Sequence, residues 1–286
     1  MAVAITGIAL LSHAASPQAA AKLADAKSFR LEGGIYSARL LNENYICATQ
    51  SKSESFALID IRNGKIEHIH NELGEARSFS PTLVAALGGN ALIFDEAASR
   101  LHLFAKDGNS QASCVLADAV LATPYGSPVD VIPAGSSFKA GFWILTERGF
   151  LLNVSNEGKL KTALDLRKSC NTPGAFFSKV GKKADRQYVY AYNTSQIFEV
   201  STSNALAKTY DVLTALGGEL RPSDAMLLED GRIIAARGSR VYILTGGKAD
   251  EISAGLKAGS QMFLDKLGSR ILIYTHSGDM VVGSLK

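Results

Sequence analysis

The chain has 286 residues, 47% of them hydrophobic and 20% charged, which are the proportions of a globular protein and argue against a disordered or fibrous one. Its 30 basic and 27 acidic side chains are dispersed along the chain and leave a net charge of +3, so we expect no nucleic-acid partner. No segment holds the roughly 20 apolar residues that a membrane span needs.

Residues 1–27 form an N-terminal segment with two interpretations. The apolar run Ala2 to Leu11, followed by small residues, resembles a secretory signal whose only positive charge is the α-amino group. Alternatively, Val3 to Leu11 is a strand, and Ser16 and Pro17 begin a short helix as N-cap and first helical residue. Cleavage would make the protein extracytoplasmic and retention would make it cytoplasmic, so the sequence leaves the localisation open.

Residues 28–286 carry a repeat of about 45 residues, and a period of that length is typical of solenoids, arrays and propellers. Four prolines mark it by preceding apolar alternating stretches 47, 45 and 49 residues apart: Pro81, Pro128, Pro173 and Pro222. Proline has a fixed φ and no N–H, so it suits the first residue of a strand.

Each repeat contains the same succession of short, β-prone segments separated by polar turns. The second strand of each is the clearest: Tyr45 to Gln50, Ala91 to Asp95, Phe142 to Thr146, Gln187 to Tyr192, Arg232 to Ala236 and Arg270 to Thr275. Such a four-stranded unit cannot bury both faces of its sheet alone, so the units must stack. The sequence therefore predicts an all-β fold, a single six-bladed β-propeller.

The last repeat, Gln261 to Lys286, shows only three strands. Closing the ring requires a fourth strand from the other end of the chain, and either Lys27 to Leu31 or Val3 to Leu11 meets that need. A two-sheet sandwich is the alternative fold, but it does not explain the spacing of the prolines.

Polar side chains recur where the innermost strands are expected to start, and these positions converge on one mouth of the central channel. They are Glu32, Asp130, Asn171 and Asp224. Carboxylate and amide oxygens suit a hard divalent cation such as Ca²⁺. The alternative is that Asp and Asn beside Pro and Gly organise turns. The densest basic run, Lys179 to Arg186, is predicted to be a solvated turn.

At these positions the chain resembles the gluconolactonase and regucalcin family of six-bladed propellers. The family motifs EGP, PNG, PDG and GRFW are similar to EGG at Glu32, NTPG at Asn171, PSDAMLLEDG around Asp224 and Gly141-Phe142-Trp143. The resemblance implies a divalent cation, Ca²⁺ or another, held by Glu32, Asn171 and Asp224, with Asp224 and Asp130 as catalytic residues. Where the family has an Asn-Asp pair, this chain has Val129-Asp130.

Two functions follow from this pattern. The first is a small-molecule-binding propeller of the gluconolactonase-like type, a metal-dependent hydrolase of cyclic esters. The second is a non-catalytic propeller that presents one face to a protein partner.

Overall fold

The structure, a computed structural model, describes residues 21–50, 53–70, 79–183, 186–201, 205–218, 220–253, 255–256 and 261–285. Two strands come first in the chain: β1 (Ala21–Lys22) and β2 (Ala24–Arg30). The strands that follow form six antiparallel sheets, one for each blade. Within the described ranges, no helix has the length and hydropathy of a membrane span.

The first three sheets each consist of four consecutive strands. Blade one contains β3 (Ser37–Asn42), β4 (Tyr45–Thr49), β5 (Ser55–Asp60) and β6 (Ile66–His70). Blade two contains β7 (Pro81–Leu87), β8 (Asn90–Asp95), β9 (Arg100–Phe104) and β10 (Ser110–Val115). Blade three contains β11 (Pro128–Pro133), β12 (Phe142–Thr146), β13 (Phe150–Val154) and β14 (Leu160–Asp165), with a 3₁₀ turn at Phe138–Ala140.

The last three sheets continue the pattern. Blade four follows the short helix α1 (Leu166–Ser169) and contains β15 (Phe177–Lys183), β16 (Arg186–Ala191), β17 (Gln196–Val200) and β18 (Leu206–Asp211). Blade five follows α2 (Val212–Ala215) and contains β19 (Asp224–Leu227), β20 (Ile233–Arg237), β21 (Arg240–Thr245) and β22 (Lys248–Ser253). Blade six contains β23 (Met262–Leu267), β24 (Arg270–Thr275) and β25 (Asp279–Ser284).

The first strand of each blade lies innermost and packs against the first strands of both neighbouring blades. The contacts run from β3 through β7, β11, β15, β19 and β23 back to β3. The six sheets therefore surround one axis, and the predicted six-bladed propeller is confirmed. We call the end of the axis where these inner strands start the upper end, and the opposite one the lower end.

The N-terminal strand β2 completes blade six by pairing antiparallel with β25, as in Phe29↔Met280. An ion pair of 2.8 Å between Arg30 and Asp279 lies in the same register. The predicted closing strand, Lys27 to Leu31, is thus confirmed with slightly earlier bounds. Its alternative, Val3 to Leu11, and the predicted Ser16 helix start lie outside the described residues.

The closure brings two backbone segments very close together. The N–H of Leu31 donates a hydrogen bond of 2.9 Å to the carbonyl of Gly278. A Cβ at Gly278, where φ is +100°, would lie 2.0 Å from the carbonyl oxygen of Leu31. Glycine is required there because backbone atoms cannot move aside as a side chain can.

The hydrophobic core lies between neighbouring sheets, so the middle strands are buried on both faces. All six residues of β5 are buried. One cluster joins Leu145 and Leu151 of blade three to Val189 and Phe198 of blade four. Burial on both faces explains why these strands are nearly continuous apolar runs, whereas the outer strands carry charged and polar residues.

Candidate functional site

A layer of charged side chains crosses the axis in the middle of the propeller. Five of the six inner strands contribute one member each: Arg39 from β3, Asp130 from β11, Lys179 from β15, Asp224 from β19 and Asp265 from β23. We call this set the axial charge layer. Charges of opposite sign meet there with little exposure to solvent, so their interactions are stronger than on the surface.

Both carboxylate oxygens of Asp130 accept hydrogen bonds, and the donors come from three blades. Its Oδ1 accepts a hydrogen bond of 2.6 Å from Arg39 Nη2 and one of 2.9 Å from the N–H of Val131. Its Oδ2 accepts a bond of 2.9 Å from the N–H of Val180 in the next blade. The side chain is 5% exposed. Asp130 therefore ties blades one, three and four together.

Asp224 has the same role two blades further round. Its Oδ1 accepts from the N–H of Ala225, and its Oδ2 accepts from the N–H of Leu264, both at 2.9 Å. The ammonium group of Lys179 donates to the same Oδ2 and to the carbonyl of Leu264. This ion pair is almost fully buried, with 9% of Lys179 and 4% of Asp224 exposed.

Asp265 is held more loosely than the other two carboxylates. Its Oδ2 accepts a bond of 2.8 Å from the N–H of Leu40, and its Oδ1 lies 3.7 Å from Arg39 Nε. Burial raises the pKa of Asp265, and the nearby guanidinium of Arg39 only partly offsets that effect.

The structure does not bring the three predicted metal ligands together. Glu32 is exposed in the loop before β3, and Asn171 is exposed in the loop after α1, so neither lies on an inner strand as predicted. The physical reason is local: Gly33 and Gly34, both with positive φ, form a turn after Glu32, and Asn171 itself has φ +51°.

The residues present do not fit a divalent cation. Asn171 lines a cavity on the upper face, whereas Asp224 faces the axis. Both oxygens of Asp224 already accept hydrogen bonds, and a cation bound to Oδ2 would have to displace the ammonium of Lys179. Among the described residues, no group of three His, Cys, Asp or Glu side chains has the arrangement of a metal site.

Sequence reasoning missed Arg39, Lys179 and Asp265. The run beginning at Lys179 is predicted to be a solvated turn, but Lys179 lies on β15 and is 7% exposed. Lys179 shares β15 with two further lysines, and Asp265 is followed directly by Lys266, so neither stands out in its strand. Arg39 did give a signal, because it is the only charged residue of the inner strand Ser37–Asn42. A charge in that setting is rarely buried without a partner.

The axial charge layer separates two recesses. The upper recess has a volume of about 210 Å³ and is lined by Tyr36, Ser178, Ser223, Phe263 and His276 above the charged groups. The ring of Phe263 lies 4.3 Å from that of His276. Nδ1 of His276 is 2.7 Å from the carbonyl of Ile35, so Nδ1 carries the proton and Nε2 is left without it in the neutral ring.

The lower recess is larger, about 550 Å³, and we call it the lower cavity. Its walls are mostly apolar and come from all blades: Ala85, Ala86, Ile132, Pro133, Met226 and Leu267 are among them. The ring of Tyr188 spans Gly181, where an added Cβ would come within 2.2 Å of the ring. Gly181 thus allows an aromatic ring to lie flat against the strand.

Two lysines and one glutamate add charge to the lower cavity. The side chain of Lys266 is 15% exposed, and its ammonium lies 3.7 Å from Glu229, which is 64% exposed. Lys182 Nζ donates a hydrogen bond of 3.0 Å to the carbonyl of Ala134. A mostly apolar cavity of this volume with a few polar groups is the usual form of a small-molecule site.

No family model matches the chain, and no curated protein matches its sequence. Among solved structures, streptogramin B lyase is similar at 12% identity over 91% of this chain and 97% of that one, with a TM-score of 0.62. A catalytically inactive virginiamycin B lyase from Staphylococcus aureus, with quinupristin, is similar at 12% identity over 91% and 99%, with a TM-score of 0.60. YCF48 bound to D1 peptide is similar at 11% identity over 95% and 100%, with a TM-score of 0.58. At such identities the likeness concerns the fold alone, and it gives the gluconolactonase family no specific support. The sheet topology and these neighbours together identify the chain as a six-bladed β-propeller.

Proposed function

We propose that the protein is a small-molecule-binding propeller that takes an anionic, partly apolar ligand in the lower cavity. The observation that carries the proposal is the lower cavity itself. Its volume of about 550 Å³ lies within the range of ligand sites, roughly 300–1,000 Å³, whereas the upper recess, at about 210 Å³, falls below it.

The charge of the ligand is inferred from Lys266. The stem of this side chain is buried along the cavity wall, and among the described residues its ammonium forms one ion pair, a long one of 3.7 Å with the exposed carboxylate of Glu229. Such a pair contributes little, because water competes for Glu229. A carboxylate, sulfonate or phosphate group on a ligand would give Lys266 a closer and drier partner, while the apolar walls would hold the rest of the molecule.

Hydrolysis of a cyclic ester through Asp130 and Asp224 stays a prediction. The hydrogen bonds that these two carboxylates make do not favour it. A general base needs a free oxygen within hydrogen-bond reach of the water that it activates. Both carboxylates already accept three or more hydrogen bonds from the protein. Their arrangement is that of structural groups which hold neighbouring blades together.

The similar solved structures do not decide between a small-molecule-binding propeller and one that binds a protein partner. One of them is a lyase with quinupristin and another is bound to a peptide. Propellers of this size thus accept both kinds of partner, and the class has to be decided from this chain's own surfaces. The lower cavity favours a small molecule.

The test uses the fluorescent anion 8-anilinonaphthalene-1-sulfonate as a probe of the lower cavity. We expect saturable binding by the wild type and weaker binding, by about tenfold, by Lys266→Met, because a charge-assisted contact of roughly 1.4 kcal/mol is lost. Lys248→Met is the matched control, since Lys248 is exposed on β22 at the outside of blade five.

Thermal melting and near-ultraviolet circular dichroism show whether each variant remains folded, because this dye also binds partly unfolded proteins. Equal affinity in the wild type and Lys266→Met, or no saturable binding by a folded wild type, would contradict the proposal. Loss of binding in Lys248→Met to the same degree would show that the probe binds elsewhere.

A further inference from the structure

A second cavity, of about 510 Å³, lies on the upper face between blades three and four, away from the axis. Its lining includes Arg148 and Phe150 from the top of blade three, and Arg167 and Lys168 from the connection to blade four. The turn that holds Arg148 leads into β13, and the connection that holds Arg167 and Lys168 leads to β15; both strands start at the upper face. This cavity shares no lining residue with the lower cavity.

Positive charge is in excess in this cavity, with three cations facing a single carboxylate, that of Asp165. Arg148 donates one N–H to the carbonyl of Thr123 at 2.6 Å, and within the described ranges its guanidinium makes no other hydrogen bond. The guanidinium of Arg167 donates from Nε to the carbonyl of Ala175 at 3.1 Å, its one hydrogen bond to the part of the chain that the structure describes. Asp165 is already engaged, because its Oδ1 accepts a hydrogen bond from the backbone N–H of Lys168.

Two exposed aromatic rings continue this surface. The ring of Phe176 is 56% exposed and lies 5.9 Å from the guanidinium carbon of Arg167. Tyr192 is 44% exposed, and its N–H donates a bond of 3.0 Å to the carbonyl of Phe176. We call Arg148, Arg167, Lys168, Phe176 and Tyr192 the basic aromatic surface.

We propose that the basic aromatic surface docks an acidic peptide segment of a partner protein that also carries an aromatic or aliphatic side chain. Arginine, tyrosine and phenylalanine are enriched at the centres of protein interfaces, where a few such residues supply most of the binding energy. The three cations supply complementarity to carboxylates, and the two exposed rings supply apolar area. This function is separate from ligand binding in the lower cavity.

A nucleic acid fits this surface less well than a peptide. Binding to a phosphate backbone requires a row of cations that follows the strand, because each neutralised phosphate adds to the affinity. Here three cations surround one cavity, and the chain as a whole carries a net charge of only +3.

The experiment measures fluorescence anisotropy with a fluorescein-labelled peptide of aspartate, glycine and phenylalanine, and with a counterpart in which asparagine replaces aspartate. We expect the wild type to bind the acidic peptide and to bind the neutral one at least about tenfold more weakly. Combining Lys168→Gln with Phe176→Ser should weaken binding of the acidic peptide about tenfold or more. Both side chains are exposed, so the fold should be kept, and Arg148→Gln provides an independent second variant.

The matched control combines Lys208→Gln with Leu206→Ser on β18, the exposed outer strand of blade four. The control should bind the acidic peptide as the wild type does. No binding by the wild type, equal binding of the neutral peptide, or equal weakening in the control would overturn the proposal. Displacement of the acidic peptide by an equal concentration of oligothymidylate would also overturn it, in favour of a nucleic-acid site.

Discussion

Replacing Asp224 with asparagine tests whether the axial charge layer stabilises the fold. The substitution keeps the shape of the side chain but removes its charge. Two donors, the ammonium of Lys179 and the N–H of Leu264, converge on Oδ2, and the N–H of Ala225 points at Oδ1. An amide has one oxygen, so at least one of these donors would face an NH₂ group.

The expected loss of stability is about 3–5 kcal/mol, the usual cost of leaving one partner of a buried ion pair without the other. In a domain of this size about 1 kcal/mol corresponds to roughly 2 °C, so we expect the melting temperature to fall by about 6–10 °C. Adding Lys179→Met should recover part of the loss, because the unpaired charge is then removed as well. A surface role for Asp224 predicts less than about 1 kcal/mol instead.

The assay is chemical denaturation with urea alongside thermal melting, at constant protein concentration. Asp250→Asn serves as the matched control, since Asp250 is exposed on β22 and should change stability by about 0.5 kcal/mol or less. A loss below about 1 kcal/mol in Asp224→Asn would refute this account of the layer. The same melts with millimolar Ca²⁺ or Mg²⁺ test the predicted cation: a stabilisation that Asp224→Asn abolishes would restore it.

Three further predictions concern the closure, the acid range and a buried histidine. Removing residues 1–32 should abolish folding or lower the melting temperature sharply, because β25 becomes an exposed edge. Removing residues 1–20 is the control, since it leaves both β1 and β2 in place. Equal melting temperatures of the two truncated proteins would contradict the prediction. Two hydrogen bonds from the Arg62 side chain hold the pKa of Asp60 at about 2. The wild type should therefore lose stability relative to Asp60→Asn as the pH falls from about 4 to 2. A difference in urea midpoints that stays constant over this pH range would contradict the prediction. His102→Leu should cost no more than about 1 kcal/mol, because neither buried ring nitrogen has a hydrogen-bond partner among the described residues and the nearest carboxylate oxygen, Asp95 Oδ2, lies 3.8 Å from Nε2. A loss above about 2 kcal/mol in urea denaturation would show that the ring and Asp95 form a strong pair.

The fold could be predicted because its signals are local and repeated. Pro81 and Pro128 are the first residues of β7 and β11, and Pro173 and Pro222 lie shortly before β15 and β19. Strand propensity and turn residues then fix each blade. The need for a closing strand followed from counting, since the last repeat shows three strands and the other blades show four.

The axial site could not be predicted to the same degree, because it depends on the exact start of each inner strand. Glu32 and Asn171 lie a few residues before their strands, and that distance is enough to move them from the axis to an exposed loop. Asp130 and Asp224 lie on the strands as expected, but their partners Arg39 and Lys179 come from other blades. A pairing over such sequence distances is set by the closed ring and leaves no local signal.

The N-terminal strands also have a consequence for how the chain reaches its native state. Within ten residues, β1 pairs with β22 of blade five and β2 pairs with β25 of blade six, so one short segment seals the outer edges of two adjacent blades. Arg30 and Asp279 are 249 positions apart in the chain. During synthesis the segment must therefore wait, unpaired, until nearly all of the propeller has left the ribosome. Contacts of such long range slow folding, and until they form the outer edges of blades five and six stay open.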